Sequence, residues 1–363
     1  MAELYIGLMS GTSLDGVDAV LATSRYGRLH CRGSVHVAFP TRLRAALLGL
    51  HESGRDELHR SALVSNELCR VYATAVRRLL SRTRVRAQAV SAIGCHGQTV
   101  RHRPRDGYTL QLVNGARLVE LTGIPVVCDF RSRDVAAGGE GAPLAPAFHH
   151  AQFGSGRRDR VVVNIGGIAN VTRLSARAPV TGFDCGPGNC VLDAWIREKR
   201  RRAFDKAGAW AASGRVLPRL LDRLLDHAFF RRRPPKSTGR DEFDIRWLRR
   251  QLAGGERAAD VQATLQELTA LTIARAARDS APRARELFVC GGGAYNRALL
   301  ARLSAALPGW RVATTAALGV PPEHVEAMAF AWLARQALRR HPGNLPAVTG
   351  ARGPRVLGAI YSR

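Results

Sequence analysis

Short apolar runs alternate with polar turns and longer helical patterns along the chain. At residues 5–21, two apolar runs flank a turn rich in Gly, Ser, Thr and Asp, which predicts a β-hairpin. A strand over 33–39 follows, and the apolar spacing over 56–81 predicts a long amphipathic helix. The predicted buried face of that helix comprises Leu58, Ala62, Leu63, Cys69, Tyr72, Val76, Leu79 and Leu80.

The second half of the chain repeats the opening arrangement. A buried strand at 160–166 runs into a Gly-Gly turn and a return strand through 171–174, and the Gly-, Ala- and Pro-rich stretch 136–146 before it predicts a loop or hinge. Strands that alternate with helices are typical of α/β proteins, and the repeat suggests two related α/β units. Further strands are predicted over residues 92–95, 109–113, 125–130 and 287–289, and helices over 260–279, 296–307 and 322–340.

Length and composition point to an ordinary globular protein. With 363 residues, of which 46% are hydrophobic, the chain predicts two domains. No apolar run approaches the roughly 18 residues of a membrane span, and the N-terminus shows no leader pattern, so we expect a cytoplasmic protein without a membrane partner. The seven cysteines are scattered and form no C-x-x-C pair, which favours reduced thiols over a disulfide framework or structural zinc.

The net charge of +26 has two interpretations. A basic nucleic-acid-binding regulator is one of them. However, only three of the 55 basic residues are lysines, and such an arginine skew is equally typical of a biased genome. Two of the densest runs, 197–202 and 246–250, fall in predicted helices, where charges usually coat a solvated face. We therefore expect no nucleic-acid partner.

The opening turn carries the chemistry of a phosphate and metal site. Glycine allows backbone N–H groups to approach an anion, hydroxyls donate hydrogen bonds, and a carboxylate can hold Mg²⁺ through water. A tight structural hairpin explains the same residues. The glycines are Gly11 and Gly16, the hydroxyls Thr12 and Ser13, and the acids Asp15 and Asp18.

Two further glycine turns follow predicted strands, at Gly166-Gly167 and at 291–293. The latter lies between a buried strand and a helix whose N-terminus would face a ligand. A Walker A loop is excluded because no lysine follows a glycine, and 291–296 does not satisfy the dinucleotide fingerprint. Three glycine turns at the strand ends of two similar halves predict a cleft in which each domain contributes a loop to a polyphosphate.

Four segments carry candidate acid–base or binding groups. Asp184 precedes a Gly-Pro-Gly turn and is either a general base or a turn-former. His96 directly follows a buried strand. Its side chain either contacts a ligand or forms its hydrogen bonds with the nearby backbone. Asp129 and Arg131 form a salt bridge or an anion clamp, and Glu326 either lines the cleft or favours the helix dipole.

Together, nine segments closely resemble those of the anhydro-N-acetylmuramic acid kinases, and they extend from the first strand to the last dozen residues. The segments are 7–18 (GLMSGTSLDGVD), 94–99 (GCHGQT), 129–131 (DFR), 141–150 (GAPLAPAFHH), 164–170 (NIGGIAN), 186–189 (GPGN), 235–240 (PKSTGR), 289–293 (VCGGG) and 343–351 (GNLPAVTGA).

The resemblance implies an α/β fold of the actin/hexokinase superfamily, with two ribonuclease-H-like domains around a central ATP cleft. The first would comprise residues 1–130 plus 343–363 and the second 131–342. It also implies a kinase that uses ATP and Mg²⁺ to hydrolyse the 1,6-anhydro bond of its sugar and phosphorylate O6 in peptidoglycan recycling. A related kinase acting on another sugar or a carboxylic acid is the alternative, and the oligomeric state stays open, a homodimer included.

The resemblance also assigns roles to residues. Asp184 would be the general base, Mg²⁺ would be held through Asp15 or Asp18, and Arg131 or Arg133 would meet the lactyl carboxylate. The other sugar-binding residues would be His96 and Glu326. The ATP- and phosphate-binding residues would be Ser10, Gly11, Thr12, Ser13, Leu14, Asp15, Gly16, Gly166 and Gly167, with Gly291, Gly292, Gly293 and Asn296 beside the adenosine.

Overall fold

The computed structural model describes residues 3–11, 13–234, 236–239 and 241–363, and it divides them into two compact units. Unit 1 comprises the described residues up to Gln152 together with His324–Arg363, and unit 2 comprises Phe153–Glu323. Both units mix strands and helices, as the alternating pattern predicts.

The strands are β1 (Glu3–Met9), β2 (Gly16–Arg25), β3 (Arg28–Ala38), β4 (Val90–Cys95), β5 (Gln98–Arg103), β6 (Tyr108–Leu112), β7 (Val126–Cys128), β8 (Arg160–Ile165), β9 (Ile168–Leu174), β10 (Thr181–Pro187), β11 (Glu286–Cys290), β12 (Arg311–Thr314) and β13 (Ala359–Tyr361). The helices are α1 (Thr41–Leu48), α2 (Glu57–Thr83), α3 (Gly115–Thr122), α4 (Ser132–Ala136), α5 (Ala145–Phe153), α6 (Cys190–Arg200), α7 (Ala209–Ala212), α8 (Pro218–Leu225), α9 (Ala228–Arg231), α10 (Ile245–Gln251), α11 (Ala258–Ser280), α12 (Arg297–Ala306), α13 (Val325–Leu338) and α14 (Pro346–Thr349).

Unit 1 contains a six-stranded sheet in the order β13-β7-β4-β1-β2-β3. Strands β1 and β2 pair antiparallel, so the predicted opening hairpin is confirmed. Strand β4 pairs parallel with β1 on its other side. The polar turns that follow β1 and β4 therefore emerge at the same edge of the sheet, which brings Ser10 and Gly11 next to residues 96–98.

The long helix α2 forms where the apolar spacing predicts it, but the first part of its buried face was predicted wrongly. Val64, Leu68 and Tyr72 are buried, whereas Leu58 is 89% and Leu63 is 55% exposed. At about 100° per residue, Leu58 lies roughly 240° around the helix from Val64. The apolar residues at the start of α2 thus lie on a different face from those that cover the sheet.

Helix α13 rests directly on the sheet of unit 1. Gly7 in β1 and Gly94 in β4 are register partners. A Cβ atom on Gly7 would lie 1.8 Å from the carbonyl oxygen of Ala327, and one on Gly94 would lie 2.0 Å from that of Phe330. The helix backbone therefore occupies the space that side chains at these two positions would fill.

This contact places α13 in unit 1, whereas the predicted domain boundaries put residues 131–342 in the second domain. Residues 131–152 also belong to unit 1. In sequence, the loop at 136–146 and the helix over 322–340 carry no sign of the sheet on which they pack. The boundaries of the compact units therefore lie at 152/153 and 323/324.

Unit 2 contains a five-stranded sheet in the order β10-β9-β8-β11-β12. Strands β8 and β9 form the predicted antiparallel hairpin around Gly166-Gly167, and β8 pairs parallel with β11. This is the same arrangement as β1, β2 and β4 in unit 1. The predicted repeat of strand, glycine turn and strand is confirmed in the two sheets.

All seven cysteines carry free thiols, and five of them are buried, as expected for thiols that pack as small apolar groups. In the part of the chain that the structure describes, no helix is both long and apolar enough to cross a bilayer.

We predict that Gly7→Ala strongly destabilises the protein. The added methyl group would clash with the backbone of α13, which cannot move aside as a flexible side chain can. We therefore expect the free energy of unfolding to fall by about 3 kcal/mol or more. The measurement is urea unfolding. Gly156→Ala is the control because a Cβ atom there has no atom within 4 Å. Equal unfolding midpoints for the two variants would contradict the packing argument.

Candidate active site

The opening turn is anchored to the segment that follows β4. Ser10 is buried, and its hydroxyl donates to the carbonyl of Gly97 at 3.0 Å and lies 2.9 Å from the hydroxyl of Tyr72. The fully buried side chain of Gln98 donates through Nε2 to the carbonyl of Gly11 at 3.1 Å. The Ser10 hydroxyl thus serves the fold, and Gln98 is a positioning residue that the sequence arguments missed, although it lies within the His-Gly-Gln-Thr segment.

Two other residues of this turn have conformational roles. Leu14 is buried and adopts a left-handed backbone with φ 54°, and its N–H donates to Gly11 at 3.3 Å. A Cβ atom on Gly16 would lie 2.4 Å from the carbonyl oxygen of Val37, so packing against β3 requires glycine there. Thr12, also predicted to bind phosphate, lies outside the described residues.

The two predicted metal-binding acids differ in their surroundings. Asp15 is exposed at the turn and accepts a hydrogen bond from the Ser13 hydroxyl at 2.7 Å. Asp18 lies within β2, where one carboxylate oxygen is 2.8 Å from Nδ1 of His36. Asp15 thus presents its carboxylate beside the glycine turn, whereas that of Asp18 is engaged by the neighbouring strand.

His96 and Arg131 form a buried pair. Nδ1 of His96 donates to the carbonyl of Ser10 at 3.1 Å, so Nε2 is the acceptor for the Arg131 guanidinium at 3.0 Å. Burial, aided by the charge of Arg131, lowers the pKa of His96 to about 3. The imidazole is therefore neutral at physiological pH, with its tautomer fixed by the Ser10 carbonyl.

Arg131 interacts both with His96 and with the charges of two carboxylates of unit 1. Burial lowers the pKa of Arg131 to about 10, while the charges of Glu326 and Asp134 oppose that shift. The structure thus brings the three predicted sugar-binding residues, His96, Arg131 and Glu326, into one cluster. The alternative arginine, Arg133, is exposed on α4.

A buried carboxylate that the sequence arguments missed holds Arg131 in place. Asp134 accepts hydrogen bonds from the amide of Gly141 at 2.8 Å, from Asn344 at 2.6 Å and from the Thr349 hydroxyl at 2.8 Å. The carbonyl of Gly141 in turn accepts from Arg131 at 2.8 Å. Asp134 therefore fixes the loop that orients the arginine.

Helix α13 supplies the apolar wall of this cluster. The ring of Phe330 lies 4.8 Å from that of His96 and 5.6 Å from that of Phe130, centroid to centroid. Phe330 follows Glu326 by four residues, so both side chains project from the same face of α13.

In unit 2, Asp184 lies within β10 rather than at a strand end as predicted, because β10 continues to Pro187. The pairing with β9 shifts register between Asp184 and Gly186. The carboxylate accepts a hydrogen bond from the amide of Thr238 at 3.0 Å. Burial raises the pKa of Asp184 to about 6, and the Thr238 amide opposes that rise. A carboxylate with this pKa is suited to accept a proton near neutral pH.

The Gly166-Gly167 turn is locked onto the start of α6. The amides of Gly188, Asn189 and Cys190 donate to the carbonyls of this turn at 2.9, 2.8 and 3.0 Å. A Cβ atom on Gly188 would lie 2.4 Å from the carbonyl oxygen of Gly166, so glycine is required for this approach. The amides of the two residues before α6 and of its first residue thus fix the turn.

The third glycine turn has one open position. Gly291 has φ 77°, and a Cβ atom there would lie 2.2 Å from the side chain of Asn164. One on Gly293 would lie 2.3 Å from Ile165, whereas Gly292 is exposed and a Cβ atom there would only touch the Asn189 side chain at 3.8 Å. A short 3₁₀ helix, Gly292–Tyr295, follows β11 directly, where the sequence placed only a glycine turn before the helix.

Asn296, predicted to border the adenosine, caps helix α12. Its side-chain oxygen accepts from the amide of Leu299 and from Gln266, both at 3.0 Å. The prediction of a helix start behind the glycine turn is correct, since α12 begins at Arg297.

Comparison with known proteins identifies relatives along the whole chain. The family model described as anhydro-N-acetylmuramic acid kinase matches residues 3–363. A protein of that name from Nitrosomonas europaea is 53% identical over 359 residues, covering 98% of this chain and 99% of the relative. One from Variovorax paradoxus is 55% identical over 370 residues, covering 99% of each.

A solved structure shares the fold at low sequence identity. Component A of the (R)-2-hydroxyglutaryl-CoA dehydratase of Acidaminococcus fermentans superposes with a TM-score of 0.50 at 14% identity, covering 91% of this chain and 96% of that one. The α/β fold that the resemblance implied is confirmed. With a family match from the first strand to the last residue, the chain belongs to the anhydro-N-acetylmuramic acid kinase family.

Proposed function

We propose that this enzyme hydrolyses the 1,6-anhydro bond of anhydro-N-acetylmuramic acid and phosphorylates O6 with ATP. The products are N-acetylmuramic acid 6-phosphate and ADP, in peptidoglycan recycling and amino-sugar catabolism. The family membership supports the reaction class, and the observation that carries the proposal is the half-buried carboxylate of Asp184, whose pKa burial raises to about 6.

Asp184 is the proposed general base. With a pKa of about 6, roughly nine in ten of its carboxylates are ionised at pH 7. Asp184 takes a proton from the water that attacks the anomeric carbon. The bond from that carbon to O6 breaks, and O6 then accepts the γ-phosphoryl group of ATP as ADP leaves.

The turn over 10–16 and the Gly166-Gly167 turn are the proposed phosphate-binding elements, with the adenosine beside 291–293 and Asn296. Of the two candidate acids, the exposed carboxylate of Asp15 fits Mg²⁺ better, because Asp18 is engaged by His36. Carboxylate oxygens are hard ligands that suit Mg²⁺, and the ion neutralises charge on the phosphates when bound.

The cluster of His96, Arg131 and Glu326 is the proposed sugar site. Neutral His96 accepts one N–H of the Arg131 guanidinium and orients its remaining donors, which can meet a lactyl carboxylate in a charge-assisted pair. The carboxylate of Glu326 is suited to accept hydrogen bonds from sugar hydroxyl or amide groups. We place the reaction in the cytoplasm, where ATP is supplied, and a homodimer stays a prediction.

The activity is tested by incubating the protein with ATP, Mg²⁺ and either the anhydro sugar or N-acetylmuramic acid. We expect ADP and the 6-phosphate from the anhydro sugar. ADP formed only from the non-anhydro sugar would overturn the bond-cleaving assignment and favour a kinase of another sugar.

We predict that Asp184→Asn lowers kcat by about 10²–10⁴-fold, the usual contribution of one general base. The amide has nearly the shape of the carboxylate, so binding of both substrates should persist in calorimetric titrations. The control is Asp222→Asn, at an exposed position of α8, which should leave kcat unchanged. Unchanged turnover in Asp184→Asn would exclude the base role.

The pH profile provides an independent prediction. Because burial raises the pKa of Asp184, the base is protonated below about pH 6. We expect kcat to fall roughly tenfold per pH unit below that midpoint. Steady-state rates measured between pH 4.5 and about 8 should show this fall of kcat in the wild type and no such fall in Asp184→Asn. Rates that stay constant from about pH 8 down to about pH 5 would show that an ordinary carboxyl group limits the rate.

The sugar site is tested by replacing each arginine with lysine, which keeps the charge but loses the planar fork. For Arg131→Lys we expect the KM of the sugar to rise about 10- to 100-fold, the effect of losing one or two charge-assisted hydrogen bonds, with an unchanged KM for ATP. Exposed Arg133→Lys is the matched control. A raised sugar KM in Arg133→Lys alone would move the carboxylate contact to that residue.

A further inference from the structure

A pocket of about 500 Å³ in unit 2 is lined mainly by arginines. They come from three segments, which lie just before β8, just after β9 and just before β11. The five arginines are Arg157, Arg158, Arg177, Arg283 and Arg285. Two acids, Asp159 and Glu286, complete the charged lining.

Both acids are already engaged. Glu286 is buried, and its carboxylate accepts from Arg160 at 2.8 Å and lies 3.5 Å from Arg158 and 3.7 Å from Arg311. Asp159 accepts hydrogen bonds from the Ser175 hydroxyl at 3.1 Å and from the amide of Ala176 at 2.8 Å. These contacts hold the base of the pocket together, and they do not neutralise the arginines at its rim.

Three of the rim arginines have no acidic partner. Arg157, Arg177 and Arg283 are exposed, and none forms an ion pair with a carboxylate of the described residues. Arg285 donates to the carbonyls of Pro282 and Ala284 and keeps its charge. A concave surface with uncompensated charge of one sign focuses the field and concentrates ions of the opposite sign.

The pocket lies away from the glycine turns of unit 2. It adjoins the first residues of β8 and β11, whereas Gly166 and Gly291 follow the last residues of these parallel strands. Six strand residues at about 3.3 Å each separate the two ends by roughly 20 Å. A ligand in the pocket would therefore not occupy the phosphate-binding turns.

We propose that this pocket binds a small molecule that carries at least two anionic groups, phosphate or carboxylate. Its volume falls in the range of about 300–1,000 Å³ typical of small-molecule sites. Guanidinium forks pair with phosphate and carboxylate in a bidentate manner. The arginine-rich composition explains many scattered charges, but it does not explain five pocket-lining arginines of which only Arg158 is paired with an acid of the lining.

The test is a calorimetric titration with pyrophosphate at about 150 mM salt, which screens weak surface association. The pocket variant is Arg177→Ser with Arg283→Ser. The control variant, Arg202→Ser with Arg250→Ser, removes the same charge from exposed arginines of unit 2 that form no ion pair within the described residues. We expect the wild type and the control to bind alike and the pocket variant to bind at least tenfold more weakly.

Three identical isotherms would overturn the proposal, because pyrophosphate would then bind only at the glycine turns or not at all. Turnover without pyrophosphate should be the same in all three proteins, which shows that the variants are folded. The lysine variant, Arg177→Lys with Arg283→Lys, should bind with intermediate affinity, since it keeps the charge without the fork. Titration with citrate as a second probe shows whether the pocket prefers carboxylates or phosphates. If the wild type binds neither probe, the proposed site is also refuted.

Discussion

The direct contact between helix α13 and the paired glycines Gly7 and Gly94 is the constraint on which the geometry of unit 1 depends. Because the helix backbone touches the sheet, its distance and rotation are fixed more closely than side-chain packing alone would fix them. Glu326 and Phe330 project from this helix, and His96 follows β4 only two residues after Gly94. The absence of side chains at Gly7 and Gly94 thus sets the position of the proposed sugar-binding cluster.

Asp134 in unit 1 and Asp184 in unit 2 show how hydrogen bonding separates a structural role from the proposed chemical one. Asp134 accepts three hydrogen bonds and ties Gly141 to the segment after α13, so it anchors Arg131. Asp184 accepts one hydrogen bond within the described residues, and burial raises its pKa to about 6. A carboxylate with fewer donors keeps more of its basicity, which is what proton transfer requires.

Local patterns in the sequence predicted the two hairpins, the long helix α2 and the candidate residues His96, Arg131 and Glu326. The hairpins and α2 are confirmed because strand alternation, helical periodicity and turn chemistry are short-range properties, whereas the roles of the three candidate residues stay predictions. The partner of α13, the anchoring role of Asp134 and the boundaries of the units depend on contacts between residues more than 200 positions apart. Periodicity carries no information about such pairings. Leu58 shows that even the buried face of a helix can be assigned wrongly when the element on which the helix packs is unknown.

A glycine in a glycine-rich turn has one of two physical causes, close packing of the fold or the close approach of a ligand. The sequence alone does not distinguish them. Gly188, Gly291 and Gly293 are required because another part of unit 2 lies within 2.2–2.4 Å of the missing Cβ atom. Gly292 is exposed, and a Cβ atom there would meet only the Asn189 side chain at the ordinary distance of 3.8 Å, so packing within the described residues does not require glycine there. Its two neighbours fix the loop by packing on β8, and this leaves the backbone of Gly292 turned outward on a rigid support. Gly292 is therefore the position of this turn at which packing leaves room beside the backbone, as the proposed adenosine contact requires.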